Sequence, residues 1–408
     1  MSRSPNVSSP ETGGRAKRVT EAGGATAPPE PSKPTATAFQ SIALLLQGGG
    51  ALGSYQAGVY EALIEHGIEP TWVAGISIGA INSAIIAGNP PAERVARLKA
   101  FWEGITAPDA WAGPWTGLLE HNVLRDLVNQ YSAGQALVSG VSGFFVPRFP
   151  PPPMQPSGSP GATSWYDTKD LRGTLERLVD FDRINARSMR FSVGAVNVRT
   201  GNFAYFDNAR DTIRPEHVMA SGALPPAFPA VEVDGEFYWD GGMVSNTPLD
   251  WVLSARSDLD TLIFQVDLWS ARGDLPRDMA EVAVRMKEIQ FSSRTRAATD
   301  EFRRMQKLRA VFQELLAKMP PDLAATPQAR LLAEASDPAV YNIVQLIYRS
   351  PTYEGQSKDY EFSRRTMEDH WKAGYADARK TLAHPEVLAL PAGDSTVHVY
   401  DFTTREKG

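Results

Sequence analysis

One stretch, Ser41 to Ala87, constrains this chain more than any other. It reads SIALLLQGGGALGSYQAGVYEALIEHGIEPTWVAGISIGAINSAIIA. Ile42 to Leu46 is a continuous apolar run of strand length, which predicts a strand buried on both faces. Gln47 ends it. Gly48-Gly49-Gly50-Ala51-Leu52-Gly53 follows, and Ser54 to Glu65 reads as a helix with Ala57, Tyr60, Ala62, Leu63 and Ile64 mostly on one side. A glycine loop between a strand and a helix N-terminus turns backbone N–H groups into one concave spot that favours negative charge. Thr71 to Ile76 is a second short apolar strand, and Ala80 to Ala87 continues as a helix of small residues.

Between that second strand and helix, Gly75-Ile76-Ser77-Ile78-Gly79 fits the G-x-S-x-G pattern. The pattern is common by chance, but strand–turn–helix is the context that a strained, exposed serine requires. Three readings of the glycine loop compete. A dinucleotide site has G-x-G-x-x-G after a strand, as here, but wants an acidic residue ending the next strand, which instead ends in Gly75-Ile76-Ser77. A phosphate-binding loop needs G-K-[ST], which is absent. The third reading is a tight turn with no ligand. The serine turn one unit later favours an oxyanion hole.

A serine hydroxyl is a weak nucleophile until a neighbouring group takes its proton, and the usual base is histidine. The six histidines are His66, His121, His217, His370, His384 and His398. None occupies a glycine-flanked strand end, and each reads as structural. Asp240 is better placed. Val231 to Asp240 reads VEVDGEFYWD, in which Asp234-Gly235 predicts a hairpin and Glu236 to Trp239 a strand. Gly241-Gly242 then turns the chain, and Asn246-Thr247-Pro248 opens a helix. An Asp at the C-terminal end of a strand points into the crevice where α/β sheets carry their sites. Taken alone, it is equally a plain Asp-Gly turn.

The ordered motifs QGGGALGSYQAGV, GISIG and WDGG, with ASGALPPAFPAVEVDGEFYWDGGMVSNTP leading into the last, resemble the patatin-like phospholipase family over Gln40 to Val266. The resemblance implies an α/β, three-layer fold with a mostly parallel central sheet. It implies a Ser–Asp dyad of Ser77 as nucleophile and Asp240 as base. It implies an oxyanion hole in the loop Gly48, Gly49, Gly50, Ala51 and Gly53, with the N–H groups of Gly49, Gly50 and Ala51 holding the oxyanion and Gly75, Gly79, Gly241 and Gly242 as motif glycines. The implied chemistry is acyl-ester hydrolysis on lipids without a metal or other cofactor. A soluble carboxylesterase or thioesterase of the same mechanism, or a catalytically silent lipid-binding scaffold, are the alternatives. The chain departs from the family at Leu52, where many members have Arg or Lys, and at Gln47, where many have Asp.

Composition bounds the rest. The 408 residues are 42% hydrophobic and 22% charged, ordinary for a globular chain. A net charge of -6 argues against nucleic-acid partners, and the absence of cysteine excludes disulfides. Residues 1–38 are poor in large apolar side chains and read as a disordered tail without a secretory signal. No apolar run is long enough to span a bilayer, so the expected location is cytoplasmic, with lipid met peripherally. Residues 39–270 form the expected acyl-hydrolase domain, interrupted by a Pro-rich loop at 146–161 that reads as a surface excursion or a lid. Residues 271–408 read as mainly helical, with a strand at Val340 to Tyr348, and resemble an extra region carried by one bacterial branch of the family. Trp111, Trp115, Leu118 and Leu119 read as core, with a membrane-facing or acyl-binding surface as the alternative.

Overall fold

The structure, a computed structural model, describes residues 37–106, 122–255, 259–292, 295–337, 339–351, 354–391 and 396–403. Trp111, Trp115, Leu118, Leu119, His121 and nearly all of the N-terminal tail lie outside them.

The chain begins with β1 (Ser41–Leu46), α1 (Ser54–Glu65), β2 (Trp72–Gly75), α2 (Ile78–Ala87), α3 (Arg94–Ile105) and α4 (Asn122–Ser139). A small ribbon of β3 (Val146–Pro147) and β4 (Tyr166–Asp167) follows, then α5 (Lys169–Leu178) and α6 (Phe181–Asn185). Next come β5 (Arg190–Asn197), β6 (Phe203–Asp207), α7 (Pro215–Ser221), β7 (Val231–Val233), β8 (Glu236–Asp240), α8 (Leu249–Ser254) and β9 (Thr261–Asp267). The last part holds α9 (Met279–Phe291), α10 (Thr295–Ala317), α11 (Pro321–Ala324), α12 (Pro327–Ala335), β10 (Tyr341–Ile347), α13 (Arg364–Leu382) and β11 (Val397–Asp401).

Among the described residues the main sheet has nine strands. Its order is β11-β10-β9-β1-β2-β5-β8-β7, with β6 on the other edge of β5. From β11 to β5 every pairing is parallel, while β6, β7 and β8 run antiparallel to their neighbours. Helices cover both faces, and β1 and β9 are buried along almost their whole length, as parallel strands between two helical layers must be. The expected α/β architecture is therefore present. In the C-terminal part the strand expected at Val340 to Tyr348 is β10, and β11 is a further strand among its helices; both extend the same sheet, and residues 35–408 form one compact unit.

The register on β5 decides where the site lies. β2 runs parallel to it and ends with Gly75 opposite Val193. β8 runs antiparallel and ends with Asp240 opposite Ala195. Because β6 takes one edge of β5 from Ser192 to Val196, β2 and β8 share the other. Their C-terminal ends meet head to head across Gly194.

α13 closes over α1, the helix that follows the glycine loop. The two backbones touch at glycines: a Cβ on Gly374 would lie 2.0 Å from the Tyr55 carbonyl oxygen. Such a clash forces the helices apart, at a cost of about 1–3 kcal/mol. The helix-propensity gain of alanine over glycine, about 1 kcal/mol at most, opposes it. Gly374→Ala should therefore lower the urea midpoint of unfolding; an unchanged or raised midpoint would show that the interface yields without cost.

Candidate active site

Ser77 occupies the turn between β2 and α2 with φ 56° and ψ -123°, a positive-φ conformation that non-glycine residues rarely adopt. The close packing around it explains the two motif glycines. A Cβ on Gly79 would lie 2.1 Å from the Leu46 carbonyl oxygen, and one on Gly75 would lie 2.2 Å from that of Gly79. The backbone of α2 thus starts directly against the end of β1. Ser77 N–H donates to Ser221 Oγ at 3.0 Å, and Ser221 Oγ donates to the Gly194 carbonyl at 2.7 Å. Ser221, on α7, pins the strained turn to β5. No motif in the sequence marks it.

Asp240, 2% exposed, lines one cavity with Ser77, whose hydroxyl favours the charged form of the carboxyl. Gly242 N–H donates to Asp240 Oδ1 at 2.7 Å. The expected hairpin at Asp234-Gly235 has both residues at positive φ, and β8 delivers Asp240 to the serine. Burial raises the Asp240 carboxyl from its ordinary 3.8 to about 7, against the pull of the neighbouring Ser77 hydroxyl and of the Gly242 N–H. The described histidines lie away from this pair. His217 is buried with Nδ1 accepting from Arg214 N–H at 3.0 Å, and His370 Nε2 lies 2.9 Å from Glu354 Oε1. His66 closes the end of α1 with Nδ1 2.8 Å from the Ala62 carbonyl, and His384 stacks on Phe402.

The glycine loop sorts into amides that are used and amides that are not. Gly48 N–H donates to the Asn246 carbonyl at 3.3 Å, and Ala51 N–H to the Asp359 carbonyl at 2.8 Å. Gly53 lies in the 3-10 turn behind, packed on Ile78 and Trp102. The amides of Gly49 and Gly50 have no acceptor among the described residues, and neither has that of Ile78, directly after the serine. Of the five loop positions expected to form an anion site, Gly48, Ala51 and Gly53 therefore hold the loop in place, and Gly49 and Gly50 remain as donors. Ile78 was missed by the sequence reading; its signal was its position next to the serine.

Gln47, where the family often has Asp, is buried and joins three segments. Its Oε1 accepts from the amides of Leu268 and Trp269 at 2.6 and 2.9 Å. Its Nε2 donates to Thr247 Oγ1 at 3.0 Å and to the Phe291 carbonyl at 3.3 Å. An amide supplies both a donor and an acceptor here, which a carboxylate would not. Leu52 is buried in the core, and no charged group stands at that position.

Ser77, Asp240, Gly49, Gly50 and Ile78 line a cavity of about 220 Å³. Its walls are mostly aromatic: Phe144, Phe145, Phe228, Trp269, Phe291 and Phe362. The base of the Pro-rich excursion belongs to this wall. Trp165 and Tyr166 amides donate to the carbonyls of Pro226 and Ala227 at 3.1 and 2.9 Å, while Phe149 and Met154 at its tip are exposed. A groove of about 1100 Å³ adjoins the cavity and shares Leu137 and Tyr360 with it. Among the described residues no cluster of three or more His, Asp or Glu side chains is placed to hold a metal, and no helix is long and apolar enough to cross a membrane.

A serine in a strained turn after a parallel strand, a buried carboxylate against it and free amides beside it define an α/β protein with the geometry of a serine-hydrolase site. The family model described as patatin-like phospholipase matches residues 44–253, just over half of the chain, and a second one, described as patatin phospholipase, matches 289–394. The chain belongs to the patatin-like phospholipase family. A triacylglycerol lipase of Arabidopsis thaliana is 32% identical over 82 residues, which is 20% of this chain and 10% of that protein. A patatin-like phospholipase domain-containing protein of Caenorhabditis elegans is 39% identical over 62 residues, 15% of this chain and 6% of that one. The chain thus spans a tenth or less of the length of these curated relatives. Among solved structures, VipD from Legionella pneumophila superposes with a TM-score of 0.35 at 16% identity, covering 85% of this chain and 67% of that chain. ExoU in complex with SpcU, from Pseudomonas aeruginosa, gives a TM-score of 0.28 at 14% identity, with coverages of 71% and 60%.

The raised Asp240 value has a consequence for stability. Its folded value lies above its ordinary one, so the folded state holds the proton more tightly. That contribution is fully present below about 3.8 and is lost as pH rises towards about 7. Above 7 the fold carries a buried carboxylate. Asp240→Asn should raise the melting temperature over wild type at pH 8, and the gain should shrink towards pH 4. A gain that does not change with pH would disprove the assignment.

Proposed function

We propose that this protein is a serine acyl-ester hydrolase acting on lipids, with Ser77 as nucleophile and Asp240 as its base. The observation that carries this reading is the meeting, in one cavity, of Ser77 in its strained turn, the buried Asp240 carboxylate and the amides of Gly49 and Gly50. Ser77 Oγ attacks the ester carbonyl and its proton passes to Asp240. The tetrahedral oxyanion is held by the amides of Gly49, Gly50 and Ile78. Preorganised donors of this kind are worth about 3–4 kcal/mol each in the transition state. Asp240 returns the proton to the departing alcohol, and a water, deprotonated by the same carboxylate, releases the acid from Ser77. A carboxyl raised to about 7 by burial suits this exchange, since it can take and give a proton near neutral pH.

The aromatic walls of the cavity support an acyl chain as the group bound beside Ser77. Two relatives bear lipid-hydrolase names, a triacylglycerol lipase and a patatin-like phospholipase domain protein. Contact with the lipid surface is peripheral in this reading. α9 turns Ala280, Val284 and Glu288 to the groove, while Met279, Val282, Met286 and Ile289 are exposed on its outer side at helical spacing. Met286→Glu with Ile289→Glu should slow hydrolysis of vesicle-borne lipid while leaving that of a soluble short-chain ester within about twofold. Equal effects on both substrates would remove this face from lipid contact.

Hydrolysis of p-nitrophenyl esters of graded chain length tests the main reading. Wild type should turn over, and Ser77→Ala should abolish turnover. Asp240→Asn should lower kcat by about 10²–10⁴-fold. Below pH 7, kcat/KM of the wild type should fall about tenfold per pH unit as Asp240 takes up a proton. A fluorophosphonate should label Ser77. Labelling without turnover on any ester would favour a lipid-binding scaffold, and activity retained in Ser77→Ala would overturn the assignment.

A further inference from the structure

Besides α13, which packs against the Gly50–Gly53 turn, the C-terminal part of the chain reaches the glycine loop through a short strap, residues 354–362, between β10 and α13. Its main chain touches the loop. The Asp359 carbonyl accepts from Ala51 N–H at 2.8 Å. Gly50 has φ +56° and faces the same carbonyl so closely that a Cβ there would lie 2.1 Å from the oxygen. The strap also forms part of the cavity wall through Asp359, Tyr360 and Phe362.

The strap is itself held by α9. Lys287 Nζ donates to both oxygens of the Asp359 carboxylate, at 2.8 and 3.0 Å, and to the Gln356 carbonyl at 3.0 Å. The pair is partly buried, with side chains 29% and 22% exposed. One residue on, Lys358 Nζ donates to Glu288 Oε1 at 2.9 Å and Ser350 Oγ at 3.0 Å. α9 in turn is tied to the site from its other end, because the Phe291 carbonyl accepts from Gln47 and Asn246. The Ala51 amide is thus directed at the strap, which leaves the two preceding amides, Gly49 and Gly50, without a protein acceptor.

We propose that Lys287 and Asp359 are positioning residues for the oxyanion hole. Their ion pair sets the strap, the Asp359 main-chain carbonyl fixes the Ala51 amide, and the Gly49 and Gly50 amides are thereby aimed at the oxyanion. The inference rests on the reading of Ser77 as nucleophile. Donor alignment matters most in the transition state, so its loss lowers kcat and leaves KM nearly unchanged.

The test uses the full chain and a single soluble p-nitrophenyl ester. Lys287→Met keeps the aliphatic stem and removes the charge; Asp359→Asn keeps the main-chain carbonyl. Each should lower kcat by about tenfold or more with KM within about twofold, since small misplacements at a reacting centre cost up to about 10²-fold. Lys287→Arg should restore most of the loss. The double variant should be no worse than the poorer single one, because the two residues act as a unit. The rate of fluorophosphonate labelling at Ser77, which needs no turnover, should fall in parallel. Lys372→Met, at an exposed pair on α13, should leave kcat unchanged. An unchanged kcat, a loss confined to KM, additive losses, or a rise in kcat on freeing the strap would each overturn the proposal. Its failure is separable from that of the parent reading. If Ser77→Ala is inert and unlabelled while Lys287→Met matches wild type, only the positioning role falls. If Ser77→Ala keeps activity, or if wild type neither turns over nor labels, both fall.

Discussion

The site depends on a backbone approach that side chains would prevent. The end of β1, the turn at Ser77 and the first residues of α2 are packed carbonyl to Cα, with Gly79 against the Leu46 oxygen. That contact bends the chain at Ser77 into a conformation that costs about 1–3 kcal/mol on its own. It persists because the neighbours over-determine it. Ser221 takes the Ser77 amide and passes the bond to β5. All ten residues of α2 are buried, so the helix cannot swing to relax the turn. The head-on arrival of β2 and β8 at Gly194 then brings a carboxylate to the serine without any histidine between them.

The polar groups behind this turn form a continuous chain. Trp102 donates to Asn82, Asn82 to Gln56 and to the Gly53 carbonyl, and Gln56 to the Gln47 carbonyl. Gln47 passes it on to the segment after β9 and to the start of α8. A buried network of this kind is favourable only when its members are satisfied, and it then fixes one arrangement. Outside this network the fold also buries the Asp240 carboxylate. It has no cationic partner in the cavity among the described residues. The same burial that destabilises its charged form gives it affinity for a proton near neutral pH.

Much of the site was legible in the sequence because its functional groups sit where one backbone element changes to another. Ser77 and Asp240 follow short apolar strands and are flanked by glycines, and local sequence carries that signal. The glycine loop was legible as a unit but not amide by amide. Which N–H groups remain free depends on the carbonyls of Asn246 and Asp359, and a backbone carbonyl leaves no mark on residue identity. Ser221 and Gln47 were hidden for a related reason, since each is one polar residue whose partners lie far away in sequence. In residues 271–408 the strand β10 was legible but its joining to the sheet was not, and β11 was not legible at all. Parallel strands pair across long connections, and nothing near Tyr341 or Val397 announces β9 as a neighbour.

The strand order carries one more consequence. β1, first of the described strands, lies between β2 and β9, and its pairing with β9 joins Ser41–Leu46 to residues 261–266. The strap that reaches the glycine loop comes later still. A chain growing from its N-terminus on a ribosome therefore makes the serine turn early but cannot enclose it. The carboxylate, the central strand and the strap emerge in turn afterwards. The cavity is among the last features to be completed during synthesis, and a chain halted before residue 359 has the serine without the pocket wall that the strap supplies.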